Sequence, residues 1–324
     1  MTVYNTPFVK LTGKSAVALG FFDGVHVGHK AVIESAVKYS RENNIPAVVW
    51  TFVNSPKKVS LFITDADERK ALFEALGVDI LIAFPFSEDV KGLSKDEFVN
   101  KVLKECLNAE KVFCGFNYSF GAGGKGTPEE LMRLCISQGL SVEISEKISV
   151  QGETVSSTKI REYIENGQTE KANVLLGRPY SINGTVSHGK KLGRTLGFPT
   201  ANVDIPENKV LPKDGVYFTV TTFDERSFYG ITNIGTNPTV DGKIRRAENH
   251  IFDINEINED LYGKEIKIEL IRFIRGEKKF DSVEALANQV KKDIETAKSY
   301  KHIVSDLRNQ GDIRWTTGYP AILT

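Results

Sequence analysis

Two histidines three residues apart, set among glycines, have the types and the spacing to bind phosphate. Residues 20–29 read Gly-Phe-Phe-Asp-Gly-Val-His-Val-Gly-His and hold two of the five histidines of the chain. A helix that starts in this run would attract an anion through its free N–H groups and the positive end of its dipole. His26 and His29 could donate hydrogen bonds to phosphate oxygens, and Gly24 and Gly28 allow close approach. We therefore predict a nucleotide phosphate site here, in preference to two histidines that only stabilise a turn.

A second anion-binding segment is indicated at residues 155–161, which read Val-Ser-Ser-Thr-Lys-Ile-Arg. Serine and threonine commonly begin helices, so a plain helix start is the alternative. Lys159 and Arg161, however, fall in a first helical turn, where the helix dipole favours acidic residues. A bound anion would relieve this conflict, so we predict that the segment contributes to a phosphate site.

A third glycine run, residues 121–126, matches the dinucleotide pattern G-x-G-x-x-G, and Glu143 follows at about the spacing of a ribose-binding carboxylate. This match keeps a dinucleotide-dependent oxidoreductase as an alternative. The run comes late in its domain rather than at the first strand-to-helix turn. We therefore favour a mobile glycine loop.

Residues 184–202 form a basic, glycine-rich segment in the second half of the chain. Gly189, Lys190 and Gly193 belong to a flexible part that could close over phosphates. The alternative is a glycine-rich barrel corner with solvated lysines. At its end, Thr200 and Asn202, held by Pro199, offer hard oxygen ligands suited to magnesium or to phosphate contact.

Glu248 lies in a strand-like stretch, residues 246–252. The alternation of that stretch could point its carboxylate inward, which would make Glu248 a candidate general base. A surface glutamate is the alternative, and the sequence pattern does not separate the two.

The elements that must position these residues change partway along the chain. Up to about residue 167, apolar runs at 16–22, 47–52, 80–84, 111–116 and 141–144 alternate with helix-like stretches such as 28–43. This alternation predicts an α/β domain with a parallel sheet. From residue 182 onward, period-two strands predict a small antiparallel barrel, followed by a helix at 282–300 with Ser282 as its N-cap. Residues 177–180 are the predicted linker.

Composition limits the classes of partner. The chain has 324 residues, which favours two domains, and 42 basic against 42 acidic residues. This balance gives no global field for nucleic acid or an anionic membrane, so we expect small-molecule partners. Three cysteines without a CxxC pair, and no apolar signal or membrane-spanning run, predict a cytoplasmic protein.

From residue 16 to residue 300 the chain resembles the bifunctional bacterial riboflavin kinase/FAD synthetases. In the first half the resemblance rests on residues 20–29, 115–121 and 156–161, and in the second half on 197–202, 233–239, 248–250 and 261–263. It implies a nucleotidyltransferase-like (Rossmann-like, HxGH type) FAD synthetase domain at 1–178. A β-barrel riboflavin kinase domain at 179–305 and a tail at 306–324 would follow.

The resemblance also implies two ATP-dependent reactions with Mg²⁺. The barrel would phosphorylate riboflavin to FMN, and the first domain would adenylylate FMN to FAD with release of pyrophosphate; weak self-association is also expected. The implied catalytic residues are Glu248, His26, His29 and Arg161, and the implied metal ligands are Thr200 and Asn202. The implied nucleotide or flavin contacts are Gly20, Phe21, Asp23, Gly24, Gly28, Asn117, Ser156, Ser157, Thr158, Gly189, Lys190, Gly193, Pro199, Thr200, Asn202 and Arg275.

Two positions depart from the family pattern, both in the first domain. After Thr51-Phe52 the chain has Asn54 and Ser55 where the family has a proline-rich cluster that often includes histidine, and it has Asn117 where an aspartate is common. Two alternatives therefore stand beside the bifunctional enzyme. One is a riboflavin kinase with an impaired adenylyltransferase domain, and the other is a non-catalytic flavin-sensing module.

Overall fold

A computed structural model describes residues 1–55, 61–187, 197–239, 242–252 and 260–304, and at 237–239 and 242–244 it describes the backbone alone. The chain divides into two compact units, Met1–Ser157 and Thr158–Thr324. In the described residues, no helix is both long enough and apolar enough to cross a membrane.

The first unit is built on a six-stranded parallel sheet. Its strands are β1 (Thr2–Tyr4), β2 (Ser15–Leu19), β3 (Ala47–Phe52), β4 (Ile80–Phe84), β5 (Ala109–Gly115) and β6 (Ser141–Ser145), in the order β1-β4-β3-β2-β5-β6. A small hairpin, β7 (Ser149–Val150) and β8 (Glu153–Thr154), follows. The helices are α1 (Val27–Asn43), α2 (Ala66–Ala75), α3 (Glu88–Lys91), α4 (Lys95–Glu97), a π-helix (Phe98–Cys106), a 3₁₀ turn (Ala122–Gly124) and α5 (Pro128–Ser137).

Both faces of this sheet are buried. Val17 and Leu19 of β2 pack into one apolar cluster with the π-helix, whereas Ala16 and Ala18 pack into another with α1. Successive side chains of a strand point to opposite faces, so continuous apolar runs belong to a sheet covered on both sides. The predicted parallel α/β domain is confirmed.

The second unit begins one residue into the helix α6 (Ser157–Glu165). It continues with α7 (Thr169–Leu176) and then with an antiparallel sheet. The strands are β9 (Tyr180–Thr185), β10 (Ala201–Asp204), β11 (Gly215–Phe223), β12 (Arg226–Thr239), β13 (Gly242–Ile251) and β14 (Glu265–Gly276), in the order β10-β13-β12-β11-β14-β9. A bridge between Ser187, just after β9, and Asn202 of β10 brings the two edge strands together. The result is a nearly closed barrel, as predicted.

The last described helix, α8 (Val283–Ser299), packs against the outside of the barrel. Ser282 caps it by accepting a hydrogen bond from Ala285 N at 3.1 Å, which confirms the predicted N-cap. Val290, Ile294 and Ala297 of α8 contact the apolar cluster that includes Val216 of β11. The barrel and this helix therefore share a core.

Candidate active sites

The chain turns sharply after β2, at the predicted phosphate site. A Cβ on Gly20 would lie 2.6 Å from the ring of Phe22, so any larger residue there would displace that ring. Phe22, Gly24 and Val25 have positive φ angles of 54°, 83° and 39°. Positive φ is rare for bulky and β-branched residues, so this turn is strained. Strain of this kind is typical of functional sites.

Both predicted histidines lie at the start of α1. His26 is the N-cap, and its Nδ1 accepts a hydrogen bond from His29 N at 3.2 Å. The two rings stack with centroids 3.5 Å apart, and the first turn of α1 holds no acidic residue. Two imidazoles therefore lie side by side at the positive end of a helix, which suits an anionic ligand.

Asp23 supports the turn from within. Its buried carboxylate accepts hydrogen bonds from Ile63 N at 3.0 Å and Thr64 N at 3.3 Å, and Thr64 Oγ1 accepts one from Gly24 N at 3.0 Å. Ser157 Oγ donates to the backbone carbonyl of Asp23 at 3.0 Å. The structure thus brings Ser157 to the turn, while the Asp23 carboxylate faces the loop that precedes α2.

Asn117 lies exposed two residues after β5, which is adjacent to β2 in the sheet. Phe116 beside it is also exposed, at 43% of its surface. The carboxyl ends of parallel strands are the usual place for ligands in such folds. Asn54 follows β3 at the same edge, where its Oδ1 accepts a hydrogen bond from Phe86 N at 2.6 Å.

One residue at this edge was missed by the sequence analysis. Arg69, on α2, is only 4% exposed and donates hydrogen bonds to the carbonyls of Phe21, Phe52 and Val53. Burial lowers the pKa of this guanidinium, against the opposing charges of Asp23 and Asp65. No local motif marks Arg69, because its partners lie on other segments.

The second unit contains a cavity of about 610 Å³ between the barrel and α8. The predicted residues Thr200, Glu248 and Arg275 all line it. Its other walls are largely apolar and include Val216, Ile231, Phe280, Leu286 and Val290. A cavity of this size and character is typical of a small-molecule site.

Glu248 lies between two asparagines. It is directly opposite Asn202 on β10 and Asn233 on β12, so the three side chains share one face of the barrel wall. Asn202 is 6% exposed, and its Nδ2 donates to the carbonyl of Thr200 at 3.3 Å. Thr200 and Glu248 line the cavity, and Asn202 is the cross-strand partner of Glu248. Hydroxyl, carboxylate and amide oxygens are a donor set that fits magnesium.

His250 connects this strand to the segment that carries Thr200. Its Nδ1 lies 2.9 Å from the carbonyl of Pro199, and its ring meets that of Phe198 edge-on. On the opposite face of β13, Asn249 is fully buried and bonds to Thr232 at 2.8 Å and to Thr221 at 3.0 Å. Contacts on both faces hold β13, and with it Glu248.

Arg275 forms part of the cavity wall through an ion pair with α8. Its Nη2 and Nε lie 2.8 and 3.0 Å from Asp293 Oδ2, and Gln289 Nε2 donates to Asp293 Oδ1 at 2.9 Å. Asp293 is only 2% exposed. The cavity therefore depends on α8 as well as on the barrel.

Of the remaining predicted residues, some lie in the part of the chain that the structure describes and others do not. Ser156 is half-buried at the end of the first unit, whereas Thr158 and Arg161 lie on α6 in the second unit. Gly189, Lys190 and Gly193 lie outside the described residues. Among the residues that the structure describes, no cluster of three or more His, Cys, Asp or Glu could hold a metal ion by itself.

A parallel α/β unit with paired histidines at a helix start, joined in one chain to a barrel with a carboxylate-lined cavity, defines a two-domain nucleotide-dependent transferase. Residues 9–159 match the family model for FAD synthetase, and residues 176–301 match that for riboflavin kinase. The chain belongs to the bifunctional riboflavin kinase/FMN adenylyltransferase family and carries domains for both activities.

The bifunctional riboflavin kinase/FMN adenylyltransferase of Bacillus subtilis is 36% identical over 300 residues, which cover 89% of this chain and 92% of that protein. The enzyme of the same name from Escherichia coli is 33% identical over 88% of this chain and 92% of its own. The crystal structure of a protein from Streptococcus pneumoniae described as a macrolide-efflux protein superposes with a TM-score of 0.83 and 33% identity. It covers 92% of this chain and 99% of its own, so the likeness extends over both units.

Proposed function

We propose that the barrel transfers the γ-phosphoryl group of ATP to a hydroxyl of riboflavin, which gives FMN and ADP. The first unit then joins the FMN phosphate to the adenylyl group of a second ATP, which gives FAD and pyrophosphate. The observation that carries the kinase assignment is the position of Glu248, which lines the cavity between Asn202 and Asn233.

In the kinase site, Glu248 accepts the proton of the attacking riboflavin hydroxyl, as a general base does. Thr200 and Asn202 would hold Mg²⁺, which when bound neutralises charge on the ATP phosphates. Arg275 and the apolar wall against α8 bind the flavin. Gly189, Lys190, Gly193 and Pro199 belong to the segment that we assign to the phosphates.

In the adenylyltransferase site, neither reactant needs a covalent bond to the protein, so catalysis consists of positioning and charge stabilisation. His26 and His29 donate to the ATP phosphates from the start of α1, and we assign Ser156, Ser157, Thr158 and Arg161 to the same phosphates. A preorganised donor of this kind contributes roughly 3 kcal/mol to the transition state. Gly20, Phe21, Asp23, Gly24 and Gly28 shape the turn, and Asn117 contacts the nucleotide or the flavin.

We also propose that the boundary between the two functional domains lies near residue 178 of the sequence. We further propose that the protein acts in the cytoplasm. All three cysteines are free and buried in the first unit, which agrees with a reducing compartment. The two compact units divide earlier in the chain, after Ser157, so the functional boundary at residue 178 stays a prediction.

The test is a time course of the purified protein with riboflavin, ATP and Mg²⁺, in which chromatography separates FMN from FAD. We expect FMN first and FAD after it. Glu248→Gln should slow FMN formation by about 100-fold or more, the usual contribution of a general base. It should leave FAD formation from added FMN unchanged.

The matched control is Glu265→Gln, which removes a carboxylate from exposed barrel surface outside the cavity. This variant should make FMN at the wild-type rate. Wild-type FMN formation by Glu248→Gln would contradict the assignment of the base, and the absence of both products from the wild-type protein would contradict the proposed function.

A further inference from the structure

We propose that Arg69 is a positioning residue of the adenylyltransferase site, where it holds the strained turn after β2 in the geometry that receives the ATP phosphates. This inference rests on the proposed function of the first unit. Arg69 acts through the backbone of the turn and is not assigned a contact with substrate.

The turn needs outside support because of its own conformation. Phe22 and Val25 both have positive φ, and neither is a glycine. Strained backbone persists only where surrounding contacts over-determine it. The residues that supply those contacts therefore control the position of the N–H groups and imidazoles that follow.

Arg69 supplies such contacts to two neighbouring strands at once. Its Nη1 donates to the carbonyl of Phe21 at 3.2 Å and to that of Phe52 at 3.1 Å, and its Nη2 donates to Val53 at 3.3 Å. Thr51 Oγ1 donates to the same Phe21 carbonyl at 3.1 Å. The guanidinium thus ties the turn after β2 to the end of β3.

The helix that carries Arg69 is itself fixed to the turn. Asp65 caps α2 in a capping box with Glu68, with hydrogen bonds of 2.8 and 2.9 Å. Immediately before this cap, Ile63 and Thr64 donate to the Asp23 carboxylate. The segment from Ile63 to Arg69 is therefore hydrogen-bonded to the turn at two residues, Asp23 and Phe21.

The charge of Arg69 also fits an anion site. Among the described residues, no carboxylate lies within ion-pair distance of its buried guanidinium: its hydrogen bonds go to carbonyls, and Asp23 and Asp65 act on it only as more distant charges. A buried charge is costly unless it is compensated. A polyphosphate bound at the adjacent helix start would supply compensating charge that carbonyl dipoles supply only in part.

The experiment compares Arg69→Met, Arg69→Lys and Arg41→Met in the full-length protein. FAD formation from FMN is measured against ATP concentration, and FMN formation from riboflavin is measured in the same samples. Arg41 is the matched control because it also donates to a backbone carbonyl, that of Gly77, and to an aspartate, Asp79. It lies in the last turn of α1, and its two partners come just before β4, so this cluster is at the amino ends of the strands rather than at the carboxyl ends.

We expect Arg69→Met to lower kcat for FAD formation by about 100-fold, the scale of a small misplacement of reacting groups. The KM for ATP in that reaction should rise about tenfold, because the turn that receives the phosphates is displaced. If the variant merely contained less folded protein, the apparent kcat would fall and the KM would not change. A change in the KM therefore distinguishes a positioning role from an effect on stability. Arg41→Met should leave both constants unchanged, and FMN formation should be unchanged in all three variants.

Arg69→Lys keeps the cation but cannot reach both strands with one ammonium group, so its constants should lie between those of the wild type and Arg69→Met. Wild-type constants in Arg69→Lys, or an unchanged KM for ATP in a folded Arg69→Met, would overturn the inference. If Arg69→Met does not fold, Arg69→Lys decides alone. Absence of FAD from the wild-type protein would instead contradict the proposed function.

Discussion

Glu248 of β13 and Asn202 of β10 are direct cross-strand partners on one face of the barrel wall. Opposite residues in an antiparallel pair have β-carbons about 5 Å apart, so the carboxylate and the amide reach the same ligand. The pairing joins the proposed base to a proposed magnesium ligand. The kinase site is therefore set by strand register as much as by the residues themselves.

The first prediction concerns Asn202. Asn202→Ala removes an oxygen ligand, so FMN formation should fall at least about tenfold and half-saturation should need more Mg²⁺. The rate is measured over a magnesium titration. Asn166→Ala, at an exposed helix end in the same unit, is the control and should behave as the wild type. An unchanged magnesium dependence in Asn202→Ala would remove this residue from the metal site.

The second prediction concerns the wall formed by α8. Asp293→Asn weakens the bond that orients Arg275, so the KM for riboflavin should rise about tenfold as the flavin pocket loosens. FAD formation from added FMN should not change. Asp281→Asn, which alters an exposed carboxylate just before α8, is the comparison. Equal effects of the two variants would show that Arg275 and Asp293 have no special part in flavin binding.

The third prediction separates the two activities. His29→Ala should reduce FAD formation by about 100-fold, because a preorganised phosphate donor is lost from the start of α1. FMN formation should remain at the wild-type rate. His302→Ala, at an exposed position in the second unit, should change neither activity. If FAD formation survives in His29→Ala, the adenylyltransferase chemistry does not use the paired histidines.

The fourth prediction addresses the departure at Asn117. An amide keeps an acceptor oxygen where the family commonly has a carboxylate, so Asn117→Asp should make FAD at a rate close to that of the wild type. Asn117→Ala should lose about tenfold, the value of one hydrogen bond to a charged group. Exposed Asn43→Ala is the control. A large gain of activity in Asn117→Asp would identify this position as the cause of an impaired domain.

Local sequence signals predicted much of the fold. The runs at 47–52 and 80–84 are β3 and β4, and the helix predicted at 28–43 is α1, Val27–Asn43. Ser282 caps α8 as its position indicated. Such signals succeed because strand periodicity and helix caps depend on neighbours within a few residues.

The strand predicted at 16–22 ends instead at Leu19. Beyond it the chain turns at Gly20, and the Phe22 ring packs edge-on against Phe73 of α2, with centroids 6.0 Å apart. The prediction extended the strand to residue 22 because the apolar run continues that far. The contact with a distant helix is what turns Phe22 out of the sheet.

Residue patterns alone predicted the two classes of domain and the paired histidines, but they left Glu248 open between a general base and a surface glutamate. Long-range packing sets which groups meet: Asn202 with Glu248, Arg275 with Asp293, and Arg69 with Phe21, 48 positions away in the chain. These pairings depend on strand order, on register and on how helices pack across the sheet. Local periodicity carries no information about partners so far apart, because only the assembled core brings them together.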